Sequence, residues 1–287
     1  MKGFIVLFFL TFSCVFTQAQ TLVINEFSNG PSGAKEYVEL LVIDNTIVYD
    51  CNTPTPPCID IRGWIFDDHS GYHSSGTSGV GIAPGAVRFN NDPLWACVPV
   101  GTLIVLYNGG DRNASIPADD YSTVDGNFKI IADLENLTYF EFTETTPGAA
   151  VCSYPATGWG TDPSPTWSNV GMSNSSDCAR IVNLAGCEVF SVCYGSCNLN
   201  NLIYFGGSGG GTVYYFNDID PTDQSNWTAG TTSGPDDQTP GSPNNAANDA
   251  YIAQFNNGGN PITPTVASAA RSEERRVGKE CRSRWSP

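Results

Sequence analysis

The chain has 287 residues, 40% hydrophobic and only 15% charged, with 30 Gly, 19 Pro and 10 Cys. Its 13 Lys+Arg stand against 29 Asp+Glu, a net charge of -16. That length buries a sizeable core in one large β domain or two small ones. The balance excludes a coiled coil, a helical bundle and a basic nucleic-acid binder. With only His69 and His73, mechanisms that need several imidazoles are excluded as well.

In chain order, residues 1–19 read as a secretory signal. Lys2 supplies the positive start, residues 4–16 the apolar run, and Thr17-Gln18-Ala19 the small residues before a cut at Gln20. The run is shorter than the roughly 20 residues that span a bilayer, so no membrane span is expected. Cys14 raises a lipoprotein alternative, but Thr11-Phe12-Ser13 lacks the aliphatic residue expected before a lipidated Cys. Export to the cell surface or beyond, into an oxidising compartment, is the expectation.

Short runs of β-branched and aromatic residues between turn clusters then predict strands at 22–27, 37–43, 59–66, 87–90, 103–107, 179–184, 188–194, 202–205 and 212–216. A helical turn or two is expected near 131–137. Residues 110–175, rich in Pro and turn residues, read as a loop insertion pinned by Cys152. Without a βαβ rhythm, the pattern predicts an all-β sandwich over residues 20–249 with long loop insertions. Residues 250–270 read as a linker to a downstream module of the same chain. The closing run 271–287 changes character abruptly and resembles one translated frame of a common DNA sequencing adapter, so it is set apart from the fold.

Setting the ends apart sharpens the arithmetic. Of the 13 basic residues, Lys2 and six in the closing run leave six; of 29 acidic residues, three fall there and 26 remain, so residues 20–270 carry about -20. The Cys remaining are Cys51, Cys58, Cys97, Cys152, Cys178, Cys187, Cys193 and Cys197, an even set that reads as a disulfide framework. Cys51 and Cys58 bracket a stiff Pro-rich loop that a local bridge would close. A two-residue hairpin at Ala185-Gly186 would place Cys178 opposite Cys193. A zinc cluster of Cys187, Cys193 and Cys197 is the rival, without a C-x-x-C spacing.

Candidate chemistry is sparse. Gly206-Gly207-Ser208-Gly209-Gly210 matches G-x-S-x-G, but a strand pattern follows where a nucleophile elbow needs a helix, and both His lie upstream. Asp67-Asp68-His69 with His73 offers transition-metal donors in a polar loop. Asp218, Asp220 and Asp223 offer hard oxygens at short spacing, a candidate structural Ca2+ site, without the EF-hand Gly and Glu. The alternative for them is an Asx-rich turn. Glu36/Glu39 and Glu141/Glu144 are the paired acids a glycosidase would need, yet Glu36 and Glu39, i and i+3 in a strand, face opposite sides.

Several stretches in order carry a resemblance. They are Val23-Ile24-Asn25-Glu26-Phe27, Glu36-Tyr37-Val38-Glu39-Leu40, Ile61-Arg62-Gly63-Trp64-Ile65-Phe66-Asp67-Asp68, Gly101-Thr102-Leu103-Ile104-Val105-Leu106-Tyr107, Asp177-Cys178-Ala179-Arg180-Ile181-Val182 and Thr239-Pro240-Gly241-Ser242-Pro243-Asn244. Over about residues 21–248 this order resembles the lamin-tail domain family of exported bacterial proteins. The resemblance implies an immunoglobulin-like β-sandwich with Trp64 in the core and no catalytic residues. The expectation is therefore a non-catalytic secreted or surface module for adhesion, binding or spacing. It would need no cofactor beyond a structural Ca2+, would meet a protein or glycan ligand, and would not bind nucleic acid. The rivals are a Ca2+-dependent carbohydrate-binding module and the accessory domain of a secreted hydrolase.

Overall fold

A computed structural model describes residues 22–31, 35–43, 58–68, 86–143, 157–160, 170–195, 203–207, 209–232 and 238–256. The strands are β1 (Leu22–Ser28), β2 (Tyr37–Val42), β3 (Cys58–Ile59), β4 (Ile65–Asp67), β5 (Ala86–Phe89), β6 (Val98–Pro99) and β7 (Leu103–Tyr107). They continue with β8 (Lys129–Asp133), β9 (Phe140–Thr143), β10 (Asp177–Val182), β11 (Glu188–Tyr194), β12 (Ile203–Phe205), β13 (Thr212–Phe216) and β14 (Trp227–Thr231), and α1 (Ala246–Asn256) follows. Two six-stranded sheets form the sandwich, in the orders β14-β13-β1-β2-β7-β8 and β12-β11-β10-β4-β5-β9, with β3 and β6 as a separate ribbon. Most neighbours are antiparallel; β7/β8 and β11/β12 run parallel. The fold is all-β, as the strand rhythm predicts.

Side-chain alternation explains the layers. In the first sheet Val38, Leu40, Ile104, Leu106, Ile130 and Ala132 point into the main core. Tyr37, Val105, Tyr107 and Ile131, offset by one residue, form a second apolar patch on the outer face. An aromatic stack crosses the sandwich, with Phe27 4.7 Å from Tyr214 and Tyr214 5.2 Å from Tyr194 of the opposite sheet. Trp64 lies in the main core at 9% exposure, and Trp95 is fully buried against Phe89 and Phe140.

The structure corrects several expectations. Residues 131–137 are not helical: Ile130, Ile131 and Ala132 alternate between faces in β8, and hydrogen-bonded turns follow. The run 59–66 is two strands, interrupted where Trp64 N–H bonds to Ile61 O and Gly63 takes φ 78°. The loop-rich 110–175 stretch contributes β8 and β9 to the sheets. The linker expected from residue 250 begins too early, because α1 runs to Asn256 and sets Tyr251, Ile252 and Phe255 into the core. Asn245 caps that helix, accepting the N–H groups of Ala247 and Asn248 at 2.9 Å each. The signal segment, the rest of the linker and the adapter-like run lie outside the described residues.

Two cross-links are described. Cys178 and Cys193 are bonded, directly opposite in the β10–β11 register with Cα atoms 4.1 Å apart. Cys58 is bonded to Cys97, which corrects the local Cys51–Cys58 bridge. The cause is the β3–β6 ribbon, whose Cys58–Pro99 pairing carries Cys58 beside Cys97. Cys187 is also disulfide-bonded, so the zinc reading fails for both it and Cys193. Cys51, Cys152 and Cys197 lie outside the described residues.

Candidate functional site

Among the described residues, a dense polar arrangement sits on the outer face of the first sheet, built around a bulge. Ile24 pairs with Leu40 but Glu26 pairs with Glu39, so Asn25 is an extra residue in β1. The bulge turns the side chains of Asn25 and Glu26 toward the same neighbour. Glu26 and Glu39 are directly opposed across the strands, and both are fully buried.

What buries them is a strap, residues 238–248, that returns across the face. Thr239 donates its backbone N–H to Glu26 at 3.1 Å and its hydroxyl at 2.7 Å. Gly241 N–H donates to Glu39 Oε2 at 2.5 Å. From the strands, Tyr37 hydroxyl donates to Glu26 and Asn25 Nδ2 to Glu39 Oε1, the latter at 2.7 Å. Asn244 ties the strap to the backbone of Asn25 and Phe216 at 3.0 and 2.7 Å, and Asn248 Nδ2 donates to Asn25 Oδ1 at 2.8 Å. Gly241 has φ 75°, and a Cβ there would stand 3.0 Å from Ile131 Cδ1 and 3.1 Å from Lys129 Cδ. The positive φ favours glycine there, and a Cβ would press on both side chains.

Burial pushes the Glu39 carboxyl well above the usual carboxylate range, and the charge of Glu26 adds to it. The bonds from Asn25 and Gly241, and the charge of Lys129, act the other way. Tyr37 is pushed well up by burial and by Glu26. A second acidic group lies elsewhere. Glu36 rises to about 7 through burial, helped by Asp111, and Asp68 to about 8 through burial, helped by Asp67 and Glu36. Asp68 accepts the Gly171 N–H.

Glu36, just before β2, and Glu39 within it occupy different environments. Glu141 of the other pair forms an ion pair with Arg88, and Glu144 lies outside the described residues. His69, His73 and Ser208 lie outside them too; the glycines around Ser208 join β12 to β13, strand to strand.

Asp218, Asp220 and Asp223 each serve the backbone turn they sit in. Asp218 accepts Ile219 N–H at 2.9 Å, Asp220 accepts the N–H and hydroxyl of Thr222, and Asp223 accepts those of Ser225. The Ser225 bonds hold Asp223 below its ordinary pKa. Among the described residues, no three His, Cys, Asp or Glu side chains are grouped to hold a metal ion. Also among them, no helix is long and apolar enough to cross a membrane.

The carboxylate pair was not legible in the sequence. Asn25, Glu26, Glu39 and the Thr239–Asn244 stretch were visible only as fragments of a pattern, and the bulge that brings them together leaves no residue signature. No family model matches the chain, and no curated protein matches it. Among solved structures, it is similar to the crystal structure of a DUF4876 family protein from Bacteroides thetaiotaomicron, with 9% identity and a TM-score of 0.35. That match covers 69% of this chain, and the chain spans 62% of that protein's length.

Proposed function

We propose that the chain is a non-catalytic, secreted or cell-surface β-sandwich module of the lamin-tail type, acting in adhesion, binding or spacing within a longer protein. The observation that carries this reading is the placement of its buried carboxyls. Glu39 and Asp68 are buried and accept the backbone N–H groups of Gly241 and Gly171, so these two acids hold the strap and a loop in place. The disulfides support an oxidising destination. The basic residues support a partner other than nucleic acid: Arg62, Arg88, Arg112 and Arg180 are each paired with a carboxylate of the chain itself.

The test is binding of the purified chain to a glycan array and to immobilised cell-surface proteins, with and without EDTA, alongside a panel of polysaccharide and ester substrates. Retained binding in EDTA without turnover is the expected result. EDTA-sensitive glycan binding would favour the Ca2+-dependent rival, and turnover would overturn the non-catalytic reading.

A further inference from the structure

We propose that α1 and the strap, residues 238–256, form a tension-released cover: load arriving through the chain beyond Asn256 lifts them before either sheet yields, and so uncovers apolar core. The proposal rests on the reading of this chain as a module within a longer protein, from which such load would come. Both ends of the described region lie together. Leu22 pairs with Val42, Gly101 donates its N–H to Val42 O at 2.8 Å, and a Cβ on Gly101 would collide with the side chain of Asn256. Along the helix, Asn248 meets Asn25 and Phe255 meets Gly101, so α1 runs back along β1 and ends beside its start.

The two ends are anchored differently. β1 is buried along its whole length and paired on both edges, with β13 and with β2, so load at Leu22 meets two ladders. Residues 238–256 pair in no strand ladder and contain no cysteine, so neither a ladder nor a disulfide ties them down. They are held by Tyr251, Ile252 and Phe255 in the core, by Asn244 and Asn248 against β1, and by the bonds that Thr239 and Gly241 donate to the buried glutamates. Load from the carboxyl side meets these contacts one after another, starting at Phe255, whereas a ladder shares load among many bonds. An 11-residue helix is too short to persist alone, so α1 unravels once its apolar face leaves the core. Its departure bares Phe216, whose ring stands 5.4 Å from that of Tyr251 and 5.8 Å from that of Trp227.

The test is single-molecule stretching of the chain from Gln20 onward, held by its two ends. A first step should release residues 238–256, about 60–70 Å of extended chain, at lower force than the sandwich that remains. Reductant should lengthen the later unfolding, where the Cys58–Cys97 and Cys178–Cys193 bonds lie, and leave the first step unchanged. Phe255→Ala should lower the force of the first step alone. Should that variant not fold, Asn248→Ala serves in its place. A single rupture, a first step of another length, one that lengthens with reductant, or one indifferent to the folded variant would overturn the cover. Any of these would leave the module reading standing, because that reading is tested by ligand binding without load.

Discussion

Two antiparallel strand pairs occupy central places in the two sheets, β1–β2 in one and β10–β11 in the other. Each contains a bulge, and each contains a directly opposed, fully buried cross-strand pair. In β10–β11 the pair is Cys178–Cys193, joined covalently. In β1–β2 it is Glu26–Glu39, joined to the strap by donated hydrogen bonds. Cross-strand geometry is shared, and the chemistry placed on it decides what breaks it. The disulfide answers to reductant; the carboxyl pair, held by donated hydrogen bonds, does not.

The largest effect should come from Glu39→Ala. It leaves Asn25 Nδ2 and Gly241 N–H buried without their acceptor, at about 1–3 kcal/mol each, so a total loss of about 2–6 kcal/mol in chemical denaturation is expected. A loss below about 1 kcal/mol would mean that water reaches the pair. Next, replacing both Cys178 and Cys193 by Ala should cost about 2–4 kcal/mol and should leave hydrogen exchange of the strap, residues 238–248, unchanged. Altered strap exchange in that variant would show that the two regions are not independent.

A third expectation concerns the buried acids Glu36 and Asp68. The folded-state pKa values of Glu36 and Asp68, about 7 and about 8, are raised above their ordinary values. Their stabilising contribution is therefore fully present in mild acid, below the unfolded-state values, and is lost as pH rises toward about 7 and 8. The melting midpoint should fall across that window by about 2–4 °C for each kcal/mol lost. Glu36→Gln with Asp68→Asn should flatten that fall, read as the melting midpoint against pH. The smallest effect is Gly241→Ala. At φ 75° and against Ile131 it should cost about 1–2 kcal/mol and loosen only the strap, read by exchange at 238–256.

The parts of the fold that follow local pattern were legible. β7 and β13 stand where their aromatic and β-branched runs predict. The Cys178–Cys193 pairing came out correctly although the turn did not. The loop closes through Asn183 and Gly186, and the bulge at Val182 restores the register. What escaped was set by distant partners. α1 is rich in Ala and Asn, and its helical state rests on the Asn245 cap and on Tyr251, Ile252 and Phe255 packing in the core. Cys58 found Cys97 because β3 pairs with β6, a choice that a Pro-rich loop does not announce. Glu39 was visible as an acid in a strand, but its partner Glu26 depends on a one-residue bulge, and its strap is 202 residues further along.

That last separation bears on the order of assembly. β1 pairs with β2 at once in sequence terms, but its other edge waits for β13, and its buried carboxylate face waits for Thr239 and Gly241. A chain emerging from its amino end therefore carries an unfinished central strand, one open edge and two uncovered acids, until nearly the whole described region has appeared. Contacts of such long range make folding slow. Two ionised glutamates on the half-built sheet would meanwhile keep that strand hydrated, which opposes premature pairing with another copy.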